Sequence, residues 1–122
     1  LGAAVGDRDL LAATLASPLQ SALEALEVEQ GLLRLEIVDA QTCPKLHVDR
    51  LRWRLCCTLF GAGTEYLPPG ERPAEALSQP VLRMPPGVLA GMAGSLAGPG
   101  LWHRSPHASP SHPRLFLSLD VG

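Results

Sequence analysis

Up to residue 30 the apolar positions recur at spacings of three and four, and beyond Gly31 they alternate with polar ones. Leu10, Leu11, Leu15, Leu19, Leu23 and Leu26 carry the first pattern, which predicts helix. Ser17-Pro18 interrupts it, so two short helices are expected over 8–16 and 18–28. Ser17 would be the N-cap and Pro18 the first position of the second helix. After Gly31, Leu33, Leu35 and Ile37 alternate with Arg34, Glu36 and Val38. From Arg50 to Phe60, Leu51, Trp53, Leu55 and Cys57 alternate with Arg50, Arg52 and Arg54. Both runs read as half-buried strands. Gly61-Ala62-Gly63 reads as a turn and Thr64 to Leu67 as a short returning strand. Further strands are expected over 80–84, 88–92, 100–103 and 115–120, with a loop over 68–73. His103 to Pro113 is dense in Ser, Pro and His, as suits an ordered or gating loop. The expected fold is mainly β (α+β). A small barrel or double-sheet core over 31–120 carries the helical layer of 8–28 outside, within one domain spanning 1–122.

The 122 residues are 46% hydrophobic and 18% charged, enough to form a core and too apolar for a disordered chain. A net charge of −2 gives no basis for binding nucleic acid or an anionic membrane. Aromatic residues at 4% are too few for a base-stacking platform. No apolar run approaches the ~20 residues of a membrane span, and the start lacks a signal-type pattern. Leu1 in place of an initiator Met suggests a processed product or a fragment of a longer protein. Cys43, Cys56 and Cys57 form an odd set with two adjacent members, a poor disulfide framework, so reduced thiols and a cytoplasmic location are expected.

The chemistry centres on His47-Val48-Asp49. Side chains at i and i+2 of an extended strand share a side, so one imidazole and one carboxylate can meet at a point. His103, at the end of a late predicted strand, would complete a two-histidine, one-carboxylate set with open coordination positions. That set suits a non-haem Fe(II) oxygenase. Arg114 opens the last predicted strand and offers a fork able to bind a carboxylate bidentately.

The order H-x-D, then His, then Arg on the following strand resembles that of 2-oxoglutarate-dependent oxygenases. The resemblance implies a double-stranded β-helix, a jelly-roll or cupin-like barrel. It also implies Fe(II) on His47, Asp49 and His103, with Arg114 binding the distal carboxylate of 2-oxoglutarate. A longer pattern runs from Cys43-Pro44-Lys45-Leu46-His47-Val48-Asp49 through Gly63-Thr64-Glu65 to His103-Arg104-Ser105-Pro106 and Arg114-Leu115-Phe116-Leu117-Ser118-Leu119-Asp120. Over about residues 31 to 120 it is similar to a bacterial family of uncharacterised function with an H-V-D … H-R-S-P … R-L-x-L-x-L-D pattern. Leu46 stands where that pattern has Phe, Ala62 where it has Pro, and Cys57 is an extra thiol. Members of that family are often encoded beside zinc-handling GTPases, which implies a metal-handling GTPase partner and a role in metal homeostasis. The substrate, a small molecule or a protein, is not legible.

Several readings compete. The same triad can hold zinc without turnover, with Cys43 or His107 as a fourth donor. A metal-free barrel serving protein contact is a third reading. Cys43, Arg104, Ser105 and His107 are candidates for supporting the ligands or touching substrate, although His107 and His112 also read as solvent-facing loop residues. Arg114 can instead pair with Asp120 or Glu65, and Arg104 can take the role given to Arg114. Ser105 near His103 lacks a G-x-S-x-G elbow, so a hydrolase is not indicated.

Overall fold

The computed structural model describes residues 31–73 and 81–122, together with Ser21 and Glu24, both of which are helical. The remainder of the predicted helices at 8–16 and 18–28 lies outside the described residues. The chain divides into two compact units, residues 1–30 and 31–122. The division falls at Gly31, where the hydrophobic period changes.

The second unit is mainly β, and its described residues form seven strands in two antiparallel sheets. They are β1 (Leu32–Val38), β2 (Trp53–Phe60), β3 (Glu65–Tyr66), β4 (Leu82–Arg83), β5 (Ala90–Ala93), β6 (His103–Arg104) and β7 (Arg114–Val121). The larger sheet has the order β1-β7-β2-β5 and the smaller β4-β3-β6. β1 and β7 pair in unbroken register from Leu32 opposite Asp120 to Val38 opposite Arg114. β2 runs along the other side of β7, with Arg54 opposite Asp120 and Cys56 opposite Ser118.

The period-2 pattern sorts the large sheet into two unlike faces. Leu55, Cys57, Leu117, Leu119 and Val121 share one face and are buried. The opposite face carries Arg34, Glu36, Arg54, Thr58, Arg114, Ser118 and Asp120 around an apolar centre of Cys56, Met92 and Phe116. That centre packs with Met84, Tyr66 and Leu101 from the side of the smaller sheet. Burial pushes the Cys56 thiol up to about 12, so it stays protonated and inert.

The smaller sheet is crossed by an ion-pair ladder. Glu65 lies opposite Arg83 on one side and Arg104 on the other. Its carboxylate accepts from Arg83 Nη2 at 2.8 Å and from Arg104 Nε at 2.9 Å. Burial raises the pKa of Glu65, but the two arginines outweigh it and hold the carboxyl below its ordinary 4.5. The folded value lies below the unfolded one. The ladder therefore contributes its full stability above pH 4.5 and loses it as pH falls through the folded value. Arg83 is 56% exposed, so solvent limits the contribution to about 1 kcal/mol. The urea midpoint of Glu65→Gln is expected to lie below that of the native chain at pH 7, and the gap is expected to narrow as the pH is lowered beneath 4.5. A gap that does not change with pH would refute a charge-based ladder.

The segment Arg50–Arg52, expected as strand, forms bends. Its neighbourhood is claimed by the turn at 94–97. Gly94 N–H donates to the Arg52 carbonyl, Ser95 N–H to that of Asp49 and Leu96 N–H to that of Leu51, at 2.8, 2.9 and 3.2 Å. A Cβ at Gly94 would collide with the Leu51 carbonyl oxygen. This close approach explains the glycine and fixes the backbone that carries Asp49. His103–Arg104, assigned to the end of one strand and the start of a loop, is a strand of its own. The loop that follows closes as a tight turn with paired backbone bonds between Ser109 and His112.

Candidate metal centre

His47 lies outside any regular strand, but its backbone pairs with that of His103. His47 N–H donates to the His103 carbonyl at 3.0 Å, and His103 N–H donates to the His47 carbonyl at 2.9 Å. This bridge extends the smaller sheet beyond β6 and sets the two imidazoles side by side, centroids 4.5 Å apart and tilted by 54°. Asp49 follows two residues on, held by the 94–97 turn. His47, Asp49 and His103 each offer a ligand atom, all within 4.8 Å of one another.

The protonation pattern follows from the partners. His47 Nδ1 lies 2.9 Å from the Lys45 carbonyl oxygen, and His103 Nδ1 lies 3.0 Å from that of Leu101. A carbonyl oxygen only accepts, so both Nδ1 atoms carry hydrogen and donate. In the neutral rings both Nε2 atoms are then bare lone pairs. They face Asp49 Oδ1 at 3.7 Å for His47 and 3.5 Å for His103. A backbone carbonyl on the far nitrogen is the arrangement that orients an imidazole toward a metal. Asp49 Oδ2 is buried without a hydrogen-bond partner. Two imidazole lone pairs and a carboxylate converging on one point call for positive charge, and an orphaned oxygen leaves a donor to spare. The residues fit a divalent cation.

Arg54, whose part sequence reasoning missed, joins this point to the sheet. Its Nη1 donates to Asp49 Oδ1 at 3.2 Å, and its Nε and Nη2 donate to Asp120 at 2.6 and 3.1 Å. Burial pushes the Asp49 carboxyl up, but proton donation and positive charge from His103, the charge of Arg54 and that of His47 outweigh it whenever the rings are protonated, so the group sits below its usual range. The Asp120 bond raises Arg54 above its ordinary value. Arg34 bonds Asp120 from β1 at 3.1 Å. Only the strict alternation of charges facing β7 hinted at this chain of pairs.

Arg114 is 3% exposed. Its Nε donates to the Ala62 carbonyl at 2.8 Å, and its Nη2 donates to the Thr58 and Thr64 hydroxyls at 3.2 Å each. Its guanidinium carbon stands 4.6 Å above the Phe116 ring. Asp120 and Glu65, its possible acidic partners, are taken by other arginines. Among the described residues no carboxylate pairs with Arg114, and burial lowers its pKa. Arg104 is engaged by Glu65 on the ladder.

A cavity of about 160 Å³ brings these groups together, lined among others by His47, His103, Arg54, Arg114, Cys43 and Ser105. Ser105 N–H donates to the Cys43 carbonyl, and its hydroxyl meets that of Thr42 at 3.1 Å. Both therefore shape the rim, but neither joins the group of metal donors. His107 is exposed on its loop and stands outside the group too. Among the described residues no helix is long and apolar enough to cross a membrane.

No curated protein and no solved structure matches this chain. A family model does, over residues 3–120, and that span takes in both units, the H-V-D segment, His103 and Arg114. The chain belongs to the family described as "Protein of unknown function (DUF1826)".

Proposed function

We propose that the chain is an oxygenase of the non-haem Fe(II)/2-oxoglutarate class, with its two sheets forming a double-stranded β-helix. One observation carries the reading. Two imidazoles bare at Nε2 meet a buried carboxylate with an orphaned oxygen, and both imidazoles line the same cavity as a buried arginine that has no acidic partner among the described residues. His47, Asp49 and His103 would hold iron, leaving positions open, and Arg114 would bind the distal carboxylate of 2-oxoglutarate. Iron and 2-oxoglutarate supply the activation of dioxygen for oxidation of a small-molecule or protein substrate. The chain's own groups position these parts. Lys45 and Leu101 orient the imidazoles, Arg54 orients Asp49, and Ala62, Thr58 and Thr64 aim the guanidinium while Phe116 covers its face. Free thiols, buried at Cys56 and Cys57 and exposed at Cys43, suit a cytoplasmic setting. The resemblance in the H-V-D and H-R-S-P segments supports a tie to metal homeostasis and to a metal-handling GTPase.

The zinc-binding alternative uses the same triad. Cys43 and His107 stand outside the donor group, so among the described residues a closed four-ligand site lacks its fourth protein ligand. An anaerobic absorbance titration separates the readings. Fe(II) and 2-oxoglutarate together are expected to give a visible charge-transfer band that neither gives alone. A folded protein that shows no such band yet binds zinc would replace the oxygenase reading with the zinc module. A folded protein that binds neither would leave the metal-free barrel.

A further inference from the structure

We infer that the open edge of β1 pairs antiparallel with the β1 edge of a second copy of this chain, in a register centred on Leu35. β1 ends the larger sheet, and among the described residues no strand lies on its outer side. Edge strands invite pairing unless they are short, bulged or broken by Pro or an inward charge. The other edges of the two sheets are short, with four residues in β5 and two each in β4 and β6. β1 has seven residues, no Gly or Pro, and no irregularity in its register with β7. It is long and regular, and its two inward charges, Arg34 and Glu36, are of opposite sign and can pair across the joint.

Its side chains match a copy of themselves. Leu33, Leu35 and Ile37 form one row and are 52%, 49% and 55% exposed. Arg34 and Glu36 form the other row, both exposed, and Glu36 has no cation partner among the described residues. Across a twofold axis at Leu35, Leu33 lies opposite Ile37 of the second copy and Leu35 opposite Leu35. Arg34 lies opposite Glu36, and Glu36 opposite Arg34. Apolar meets apolar on one face and opposite charges meet on the other, each pair occurring twice. A shift of one residue either way would lose the charge match, so the sequence itself specifies the register. Arg34 and Glu36 also line the cavity that holds the two histidines, so the joint would set two such cavities side by side. The inference stands without the metal reading.

Light scattering on the full chain over a hundredfold range of concentration tests it. The native chain is expected to approach twice the chain mass at the upper end. Glu36→Arg and Arg34→Glu each set like charges opposite each other at both pairs and are expected to weaken association about tenfold or more. An equimolar mixture of the two variants restores both charge matches and is expected to return to twice the chain mass as a heterodimer. Leu35→Lys, at a half-exposed site, is expected to be monomeric while keeping the β-sheet circular dichroism of the native chain. A native chain that stays monomeric overturns the inference, and the edge is then covered from within the chain or left free. A dimer that survives Leu35→Lys, or a variant mixture that stays monomeric, overturns it as well.

Discussion

Asp49→Ala is expected to abolish metal binding while leaving the protein folded. Asp49 is the single anion of the donor group. Without it, two neutral imidazoles remain beside the Arg54 guanidinium, which now repels an approaching cation. The loss should exceed the roughly 10–100-fold that removal of an outer-sphere partner costs. The fold should survive for a specific reason. Arg54 keeps both of its bonds to Asp120, so truncating Asp49 strands no buried cation, and it removes an oxygen that already lacks a partner. Thermal unfolding gives the readout. With metal at about 100 times its dissociation constant the native chain gains about 2.7 kcal/mol, and a chain that cannot bind gains nothing. Asp49→Ala should therefore melt at the same temperature with and without Fe(II) or Zn(II). A metal-dependent rise that persists in this variant would remove Asp49 from the ligand set.

The local part of this site was legible and the distant part was not. His47 and Asp49 are two residues apart, and proximity in sequence brings them close whatever the fold. His103 could be added because it too falls near a strand end. The support for these three comes from elsewhere. Parity set Arg54 beside Arg50 and Arg52 on a polar face, but which arginine reaches Asp49 depends on the β2–β7 register that puts Arg54 opposite Asp120. That register is a long-range choice which alternation alone does not make. Alternation likewise runs on through Arg50–Arg52, although the backbone there bends. The carbonyls of Asp49, Leu51 and Arg52 are taken by the N–H groups of Ser95, Leu96 and Gly94, and a Gly/Ala-rich segment gives no periodic sign of such a turn. The pairing of Glu65 with both Arg83 and Arg104 was hidden for the same reason. In each case the composition was informative and the partner was not.

Arg114→Met is expected to leave Fe(II) binding intact and to weaken 2-oxoglutarate binding about 10- to 100-fold. Among the described residues the guanidinium has no acidic partner. Its hydrogen bonds go to neutral oxygens of Ala62, Thr58 and Thr64, from Nε and Nη2, which leaves Nη1 to meet an incoming anion. A hydrogen bond to a charged group contributes about 1.5–3 kcal/mol, and each 1.4 kcal/mol is about tenfold in affinity. Burial lowers the pKa of Arg114, the mark of a cation short of compensation, and an entering carboxylate would supply it. Methionine preserves length and apolar contact with Phe116 while removing the charge. The Thr58 and Thr64 hydroxyls are then left without their donor, and a stability loss of about 1–3 kcal/mol is expected. Binding should therefore be measured well below the melting transition. Arg114→Lys separates charge from geometry. Lysine carries a point charge without the planar fork, so it should recover part of the affinity and none of the paired bonds to Ala62 and the two threonines. If Arg114→Met binds 2-oxoglutarate as the native chain does, the arginine is a structural tie among Ala62, Thr58 and Thr64. The cavity would then need another anion site, and Arg34 and Arg54 are the other arginines on its wall.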